Sequence, residues 1–346
     1  MRQSITDLAT ELERQKTTRM DVVVDSREIK AVSYNDEVQL EFPVPYGAGD
    51  MVTTFGMTPW THGQISAKTG IPKKYYDRLM DGHQGLLADN INEWMPEKEQ
   101  RLVRIMDGNV RAFLSDRYRI MDNYDLLYQS LDAFKEAGAQ IHQADLTETN
   151  MYVKAIIPHT VKEIREGDSV VPGLILRNSE VGAGAFKVEP FMLRLVCTNG
   201  MIGESSIDKI HLGGKKEAGI VEWSEETKQA ENSTIWLKVR DTIESTFNPE
   251  TFSKWVDQVK RGADIPIEYP VIAIDNVVEQ YNMTADIKGE LLNHFMKGAD
   301  VTQWGLANAV TRTARDLEDV NMQVELESIG GKLAIMPERE LLRMIA

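Results

Sequence analysis

The chain has 346 residues, 42% hydrophobic and 27% charged, with a formal net charge of −15 at pH 7. That length predicts about two domains and enough buried surface that stability needs neither disulfide nor metal. The single cysteine, Cys197, excludes an internal disulfide and fits a reducing compartment. No run of about 18 apolar residues exists to span a membrane. The opening MRQSITDLATELERQ lacks the apolar core of a signal peptide, so the expected location is the cytoplasm.

The acidity is unevenly placed. Arg101 to Lys216 carries 15 Lys and Arg against 15 Asp and Glu, so this segment is neutral and the excess lies outside it. An acidic total argues against a nucleic-acid partner, but a neutral middle leaves room for a local basic face.

In chain order, residues 5–16 read as a helix, with Ile5, Leu8 and Leu12 at helical spacing. Asp21–Val24 and Glu37–Phe42 read as strands, and Pro43, Pro45, Gly47 and Gly49 predict a loop. Thr58 is a candidate N-cap before Pro59, Gly70 ends that helix, and Pro72 starts another. Two short helices about a glycine turn resemble a helix-turn-helix, with Lys73, Lys74 and Arg78 on the second. An ordinary helical hairpin with a core of Ile65, Ile71, Tyr76 and Leu79 fits the same pattern. Glu93–Glu99 reads as an acidic boundary.

Leu102–Met106 and Val110–Leu114 predict a β-hairpin turning at Asp107-Gly108-Asn109. A helix follows, capped by Asp122 or Asn123, apolar along Tyr124, Leu127, Tyr128, Leu131 and Phe134, and ended by Gly138. Gln140–Asp145 and Tyr152–Ile157 read as a further strand pair. Gly173–Arg177 reads as a buried strand, and Asn178 to Gly184 as a glycine-rich loop. Ala185–Thr198 is strand-forming, with Pro190 at a bulge or edge, Cys197 a small buried hydrophobe, and Asn199-Gly200 as a hairpin turn. After Lys216 the pattern turns helical. Trp223–Phe247 carries a stripe of Ile235, Trp236, Val239 and Ile243, followed by Pro249–Arg261, a Pro266/Pro270 loop, Asn276–Tyr281, Ala285–Met296 and Val301–Leu317.

Catalytic patterns are missing. Gly213-Gly214-Lys215 lacks the rest of a phosphate-binding loop, and Gly182-Ala183-Gly184 precedes a strand where a dinucleotide fingerprint precedes a helix. The histidines are scattered, none at metal-ligand spacing with another His or Cys. No cofactor is implied and an enzyme is not expected. The richest constellation is cationic: Arg104, Arg111, Arg117, Arg119, Lys154, Arg177, Lys187 and Arg194, with Tyr118 and Phe186. Cations between aromatics suit a single strand, tracking phosphates while bases stack. Cross-strand ion pairs with Asp116, Asp145 and Glu189 are the structural alternative.

Three blocks resemble the phage/plasmid-like proteins grouped as domain of unknown function 932: GIPKKYYDRL (Gly70 to Leu79), VRAFLSDRYRIMDNYDLL (Val110 to Leu127) and LRNSEVGAGAFKVEPFMLRLVCTNGM (Leu176 to Met201). TQWGLANAVTRTARDL (Thr302 to Leu317) is similar to a fourth block of that family. The family carries no activity to transfer. Its setting on phages, prophages and plasmids implies a bacterial cytoplasm and DNA metabolism. The hairpin-helix-sheet order is also similar to phage single-strand annealing proteins of the Red beta and Erf type, which implies an oligomer holding DNA in a basic groove.

The expected fold is α+β: a central antiparallel sheet braced by a helix, an α-helical C-terminal domain and a small helical N-terminal unit. Expected domains are 1–99, 100–216 and 217–346. The expected function is non-catalytic single-stranded DNA binding and annealing in phage or plasmid recombination, by a homo-oligomer, through the ten residues named above. Three rivals stand beside it: a duplex-DNA regulator acting through the 58–80 hairpin, a phage structural or protein-interaction component without nucleic-acid affinity, and a carboxylate-metal enzyme such as a nuclease.

Overall fold

A computed structural model describes residues 4–46, 49–95, 98–203, 207–208 and 225–345. The chain opens with α1 (Ile5–Thr18), held at its start by a reciprocal Ser4–Asp7 capping box. It then builds a six-stranded sheet from β1 (Arg19–Asp25), β2 (Lys30–Tyr34), β3 (Glu37–Tyr46), β4 (Gly49–Met57), β5 (Gln100–Met106) and β6 (Asn109–Ser115), in the order β1-β5-β6-β4-β3-β2. All its pairings are antiparallel except the short contact of β4 with β6 at Gly56 and Met57. In β3, Val38, Leu40, Phe42 and Val44 are buried at the two-residue period of a strand. They meet Ile65, Tyr76, Leu87 and Ile91 from α2 (Pro59–Thr69), α3 (Lys73–Met80) and α4 (Gln84–Trp94), which cover one face.

The second sheet follows α5 (Asn123–Glu136). Its strands are β7 (Gln140–Leu146), β8 (Met151–Ile156), β9 (Lys162–Arg165), β10 (Asp168–Asn178), β11 (Lys187–Arg194), β12 (Asn199–Ile202) and β13 (Ile207–Asp208). The order is β12-β11-β10-β8-β7, with β9 on β10 and β13 on β11. The sheet is covered on both sides, so its strands are buried almost continuously. Leu174, Leu176 and Val188 face α1, α5 and α6 (Glu225–Thr246), where Leu8, Phe134 and Ile243 meet them. The helices α7 (Pro249–Ala263), α8 (Pro270–Gln280), α9 (Ala285–Gly298), α10 (Gln303–Asp316), α11 (Val320–Ile335) and α12 (Glu338–Ile345) share a core with Val170, Met192 and Met201 of that same face, while on the opposite face Val171, Ile175, Phe191 and Leu193 meet Val324 of α11. No helix among the described residues is long and apolar enough to cross a membrane.

The α+β class and the helical C-terminal region agree with the sequence reading, but one central sheet does not. Its predicted hairpin, β5–β6, joins β1 and β4 in the first sheet, while the strands after α5 make the second. A boundary at 99/100 therefore cuts through a sheet. The helices after residue 217 are equally bound to the second sheet, whose two faces α6 and α11 help to close.

Local corrections have local causes. The chain continues as β3 through Pro43 and Pro45, because β2 pairs only with Glu37–Glu41 and the missing proline N–H groups fall on an open side. Pro190 forms no bulge: it sits opposite Leu174, in the gap between the stretches of β11 that pair with β13 and with β12. Asn199-Gly200 opens β12 instead of turning the chain. The turn is 195–198, with Thr198 at φ 52, and it leaves Cys197 half-buried outside any strand. Tyr128 of α5 is exposed. Pro270 is the first residue of α8, not part of a loop. Gly213 to Lys215 and Trp223 lie outside the described residues.

The helical layer meets the sheet backbone at Gly330 and Gly331 of α11. A Cβ on Gly331 would run into the carbonyl group of Ile202 in β12, and one on Gly330 into the Thr311 side chain. Overpacking of this kind typically costs about 1–3 kcal/mol. Gly331→Ala is expected to lower the urea midpoint accordingly, while Gly289→Ala, where a Cβ meets open space, is expected to leave it unchanged or slightly raised.

Candidate nucleic-acid interface

The cations of the two sheets are not gathered on an open wall. Arg104 of β5 has no exposed surface. Its guanidinium donates from Nε and Nη2 to Asp21 at 2.9 and 3.0 Å, from Nη2 to Asp122 at 2.7 Å, and from Nη1 to the Glu180 carbonyl at 3.0 Å. Burial works against its charge, but Asp21 and Asp122 outweigh it and hold its pKa above the ordinary value. Arg111 of β6 pairs with Glu180 at 2.7 Å, and Glu180 also accepts from the Asn123 amide at 2.6 Å. Arg177 pairs with Glu189 across β10 and β11 at 2.8 Å, as the structural alternative anticipated. Asp116 and Asp145 instead accept from Ser115 and Gln143.

The remaining candidates are absorbed in similar ways. Lys154 reaches across to α11 and meets both oxygens of Glu327 at 2.6 and 2.7 Å. Arg194 donates to both oxygens of Asp168, which also accepts from the Trp304 indole at 2.7 Å. Phe186 has no exposed surface and belongs to the core under α1 and α5, so it has no face for a base. Tyr118 is half-buried, with its hydroxyl donated to the Ser179 carbonyl at 2.8 Å. Arg119 and Lys187 are half-buried and engaged in interactions of their own. Arg117 is exposed, with no carboxylate at ion-pair distance among the described residues. The expected groove along the sheet is corrected by this pairing: Asp21, Asp122, Asp168, Glu180 and Glu327 use up the charge. These partners lie 18 to 173 positions from their cations, where local spacing carries no signal.

The glycine-rich loop after β10 is the joint between the sheets. Asn178 donates to the Met121 carbonyl and the Asn123 side chain at 2.9 and 2.8 Å. The Val181 carbonyl accepts from the Trp60 indole and the Gln64 amide of α2 at 2.9 and 2.8 Å. The loop is thus committed to protein contacts. Gly182 has φ +78, and a Cβ there would also press on Leu114.

The 58–80 hairpin forms as its residues dictate. Thr58 caps α2, Pro59 takes the first turn, Gly70 ends the helix at φ +69, and Ile65, Ile71, Tyr76 and Leu79 are buried. This leaves Lys73, Lys74, Tyr75 and Arg78 exposed on α3. Lys73 pairs with Asp77, while Lys74 and Arg78 have no carboxylate at ion-pair distance among the described residues. Beneath them, His62 Nδ1 lies 2.8 Å from the Tyr76 hydroxyl. Burial first, then the Lys73 ammonium, push the His62 pKa down to about 4 against the opposing pull of Asp77 and Glu37.

A fold of two fused sheets, locked by buried ion pairs and offering one exposed basic helical hairpin, defines an α+β protein built around an internal charge network. The chain belongs to the family described as domain of unknown function DUF932, whose model matches residues 111–320. No curated protein matches it, and no solved structure does.

Removing Arg104 strands Asp21 and Asp122 beside the core. Arg104→Ala is expected to cost about 3–5 kcal/mol in chemical denaturation, the scale of a broken buried pair. Exposed Arg117→Ala is expected to change stability by less than about 0.5 kcal/mol. His62 predicts a pH effect of definite sign. Its unfolded imidazole takes a proton near pH 6.5, and its folded one only near 4. Its contribution is intact above about pH 6.5 and is lost as pH falls through that window. His62→Gln is expected to flatten the pH dependence of stability between pH 7 and 4, by on the order of 2 kcal/mol.

Proposed function

We propose that the chain is a non-catalytic nucleic-acid-binding protein that contacts duplex DNA through the α2–α3 hairpin. One observation carries the reading. The sheet cations are spent on internal carboxylates, whereas Lys74, Tyr75 and Arg78 of α3 face solvent on a helix fixed from beneath by Tyr76 and Leu79. Two short helices about a glycine turn are the layout in which the second helix enters the major groove, its N-terminal residues foremost. Lys73 and Lys74 occupy that leading turn. The single-strand annealing reading needs an open basic wall with stacking rings, and the burial of Arg104, Lys154 and Phe186 weighs against it.

Fluorescence polarisation with a labelled duplex and a labelled single strand, each at two salt concentrations, tests the proposal. The Lys74→Ala/Arg78→Ala variant is expected to weaken duplex binding about tenfold or more and to reduce the salt slope by about 2, one per lost phosphate contact. Arg117→Ala is expected to bind duplex as the parent does. Single-strand binding lost in Arg117→Ala and kept in the double variant would return the annealing reading. Absence of binding to either probe would overturn both.

A further inference from the structure

Beside the α2–α3 hairpin lies a cleft of about 390 Å³, bounded by the β2–β3 turn, the end of β4, and α2, α3 and α4. Val38, Met57, Pro59 and Met80 give part of its lining, and the Lys73–Asp77 ion pair with Gln84 gives more. The β2–β3 turn, with Asn35 and Asp36 at φ 50 and 60, brings Asp36 and Glu37 into the lining. Neither carboxylate has a cation at ion-pair distance among the described residues. His62, only 8% exposed, lines the same cleft.

The state of His62 follows from its partner. The Tyr76 hydroxyl is fully buried, and the His62 Nδ1 is its hydrogen-bond partner among the described residues. A neutral imidazole satisfies it by accepting the phenolic proton at Nδ1, which leaves the hydrogen on Nε2. No described residue bonds Nε2, and that nitrogen is not among the sealed polar atoms of the interior. The cleft therefore offers a hydrogen-bond donor from a nine-tenths-buried ring, unpaired carboxylate acceptors in the same lining, and methionine and proline surface beside them.

That combination fits a flat ligand with apolar faces, two adjacent N–H donors on one edge and an acceptor on another. We infer that the cleft binds a guanine base. Guanine presents N1–H and its exocyclic amino group side by side, a pair that one carboxylate accepts together. Its O6 and N7 are acceptors for the His62 Nε2–H. Adenine and cytosine each lack the adjacent pair of donors at neutral pH. The cleft volume falls in the range of small-molecule sites, and thioethers adapt to aromatic faces. The inference goes beyond duplex binding and does not rest on it: of the α3 cations only Lys73, paired with Asp77, lines the cleft, and Lys74 and Arg78 do not.

Isothermal titration of the full chain with guanosine, adenosine and cytidine tests this. Guanosine is expected to bind at least about tenfold more tightly than the other two. Glu37→Gln, an exposed change that keeps the size of the side chain, is expected to reduce that affinity about tenfold with circular dichroism unchanged, the scale of a lost hydrogen bond to a charged group. The Lys74→Ala/Arg78→Ala variant is expected to keep guanosine affinity whatever happens to its duplex binding, which separates the two proposals. Equal binding of all three nucleosides, no binding of any, or an unchanged affinity in Glu37→Gln would overturn the inference.

Discussion

A guanidinium with no exposed surface survives inside a protein only if its charge is matched and its donors are used. Arg104 meets both conditions through Asp21 from β1, Asp122 ahead of α5 and the backbone of Glu180 in the loop after β10. Those three partners come from the first sheet, from the connection between the sheets, and from the second sheet. One side chain therefore ties together segments as far apart in the chain as Asp21 and Glu180. Arg111 repeats the device one strand over, on the carboxylate of the same Glu180. The pairing carries little net stability against a hydrophobic replacement, since desolvation offsets most of the attraction. It does fix how the sheets meet, because any other placement leaves a charge buried alone.

The rest of the architecture follows from that junction. The loop that brings in Glu180 also lays the Val181 carbonyl against Trp60 and Gln64, so the position of α2 depends on the second sheet as well as the first. The second sheet is closed by helices on both faces, which explains why Lys154 and Arg194 find their partners across layers or along neighbouring strands and not in solvent. With both sheets committed inward, recognition falls to the periphery. His62 lines the cleft and is hydrogen-bonded to Tyr76 in the core of the α2–α3 hairpin, so both rest on one buried pair.

Much of the fold was legible in the residues. The β5–β6 hairpin was readable because Asp107 and Gly108 take the two positive φ values that a tight turn requires. The cap at Thr58 and the left-handed end at Gly70 were readable for similar reasons, each a local rule acting over four residues. Where elements were missed, the local rule was overruled from outside. β4 carries exposed Met51 and Val52 and exists because β3 pairs with it along its length. α11 pairs Gly330 with Gly331, poor helix formers retained because the helix must approach β12 and α10 closely. α4 and α12 also went unread.

The candidate site divides along the same line. By itself the sequence determined the class of fold, the family, the helical hairpin with its exposed Lys74 and Arg78, and the presence of an unusual set of cations on apolar strands. Those features depend on residue type and on neighbours a few positions away. Tertiary structure alone decided that the strands make two sheets and that five of those eight cations, Arg104, Arg111, Lys154, Arg177 and Arg194, face carboxylates. The physical reason is that an ion pair is defined by separation in space. Asp21 and Arg104, or Lys154 and Glu327, are partners only once strand register and helix packing have brought them within 3 Å.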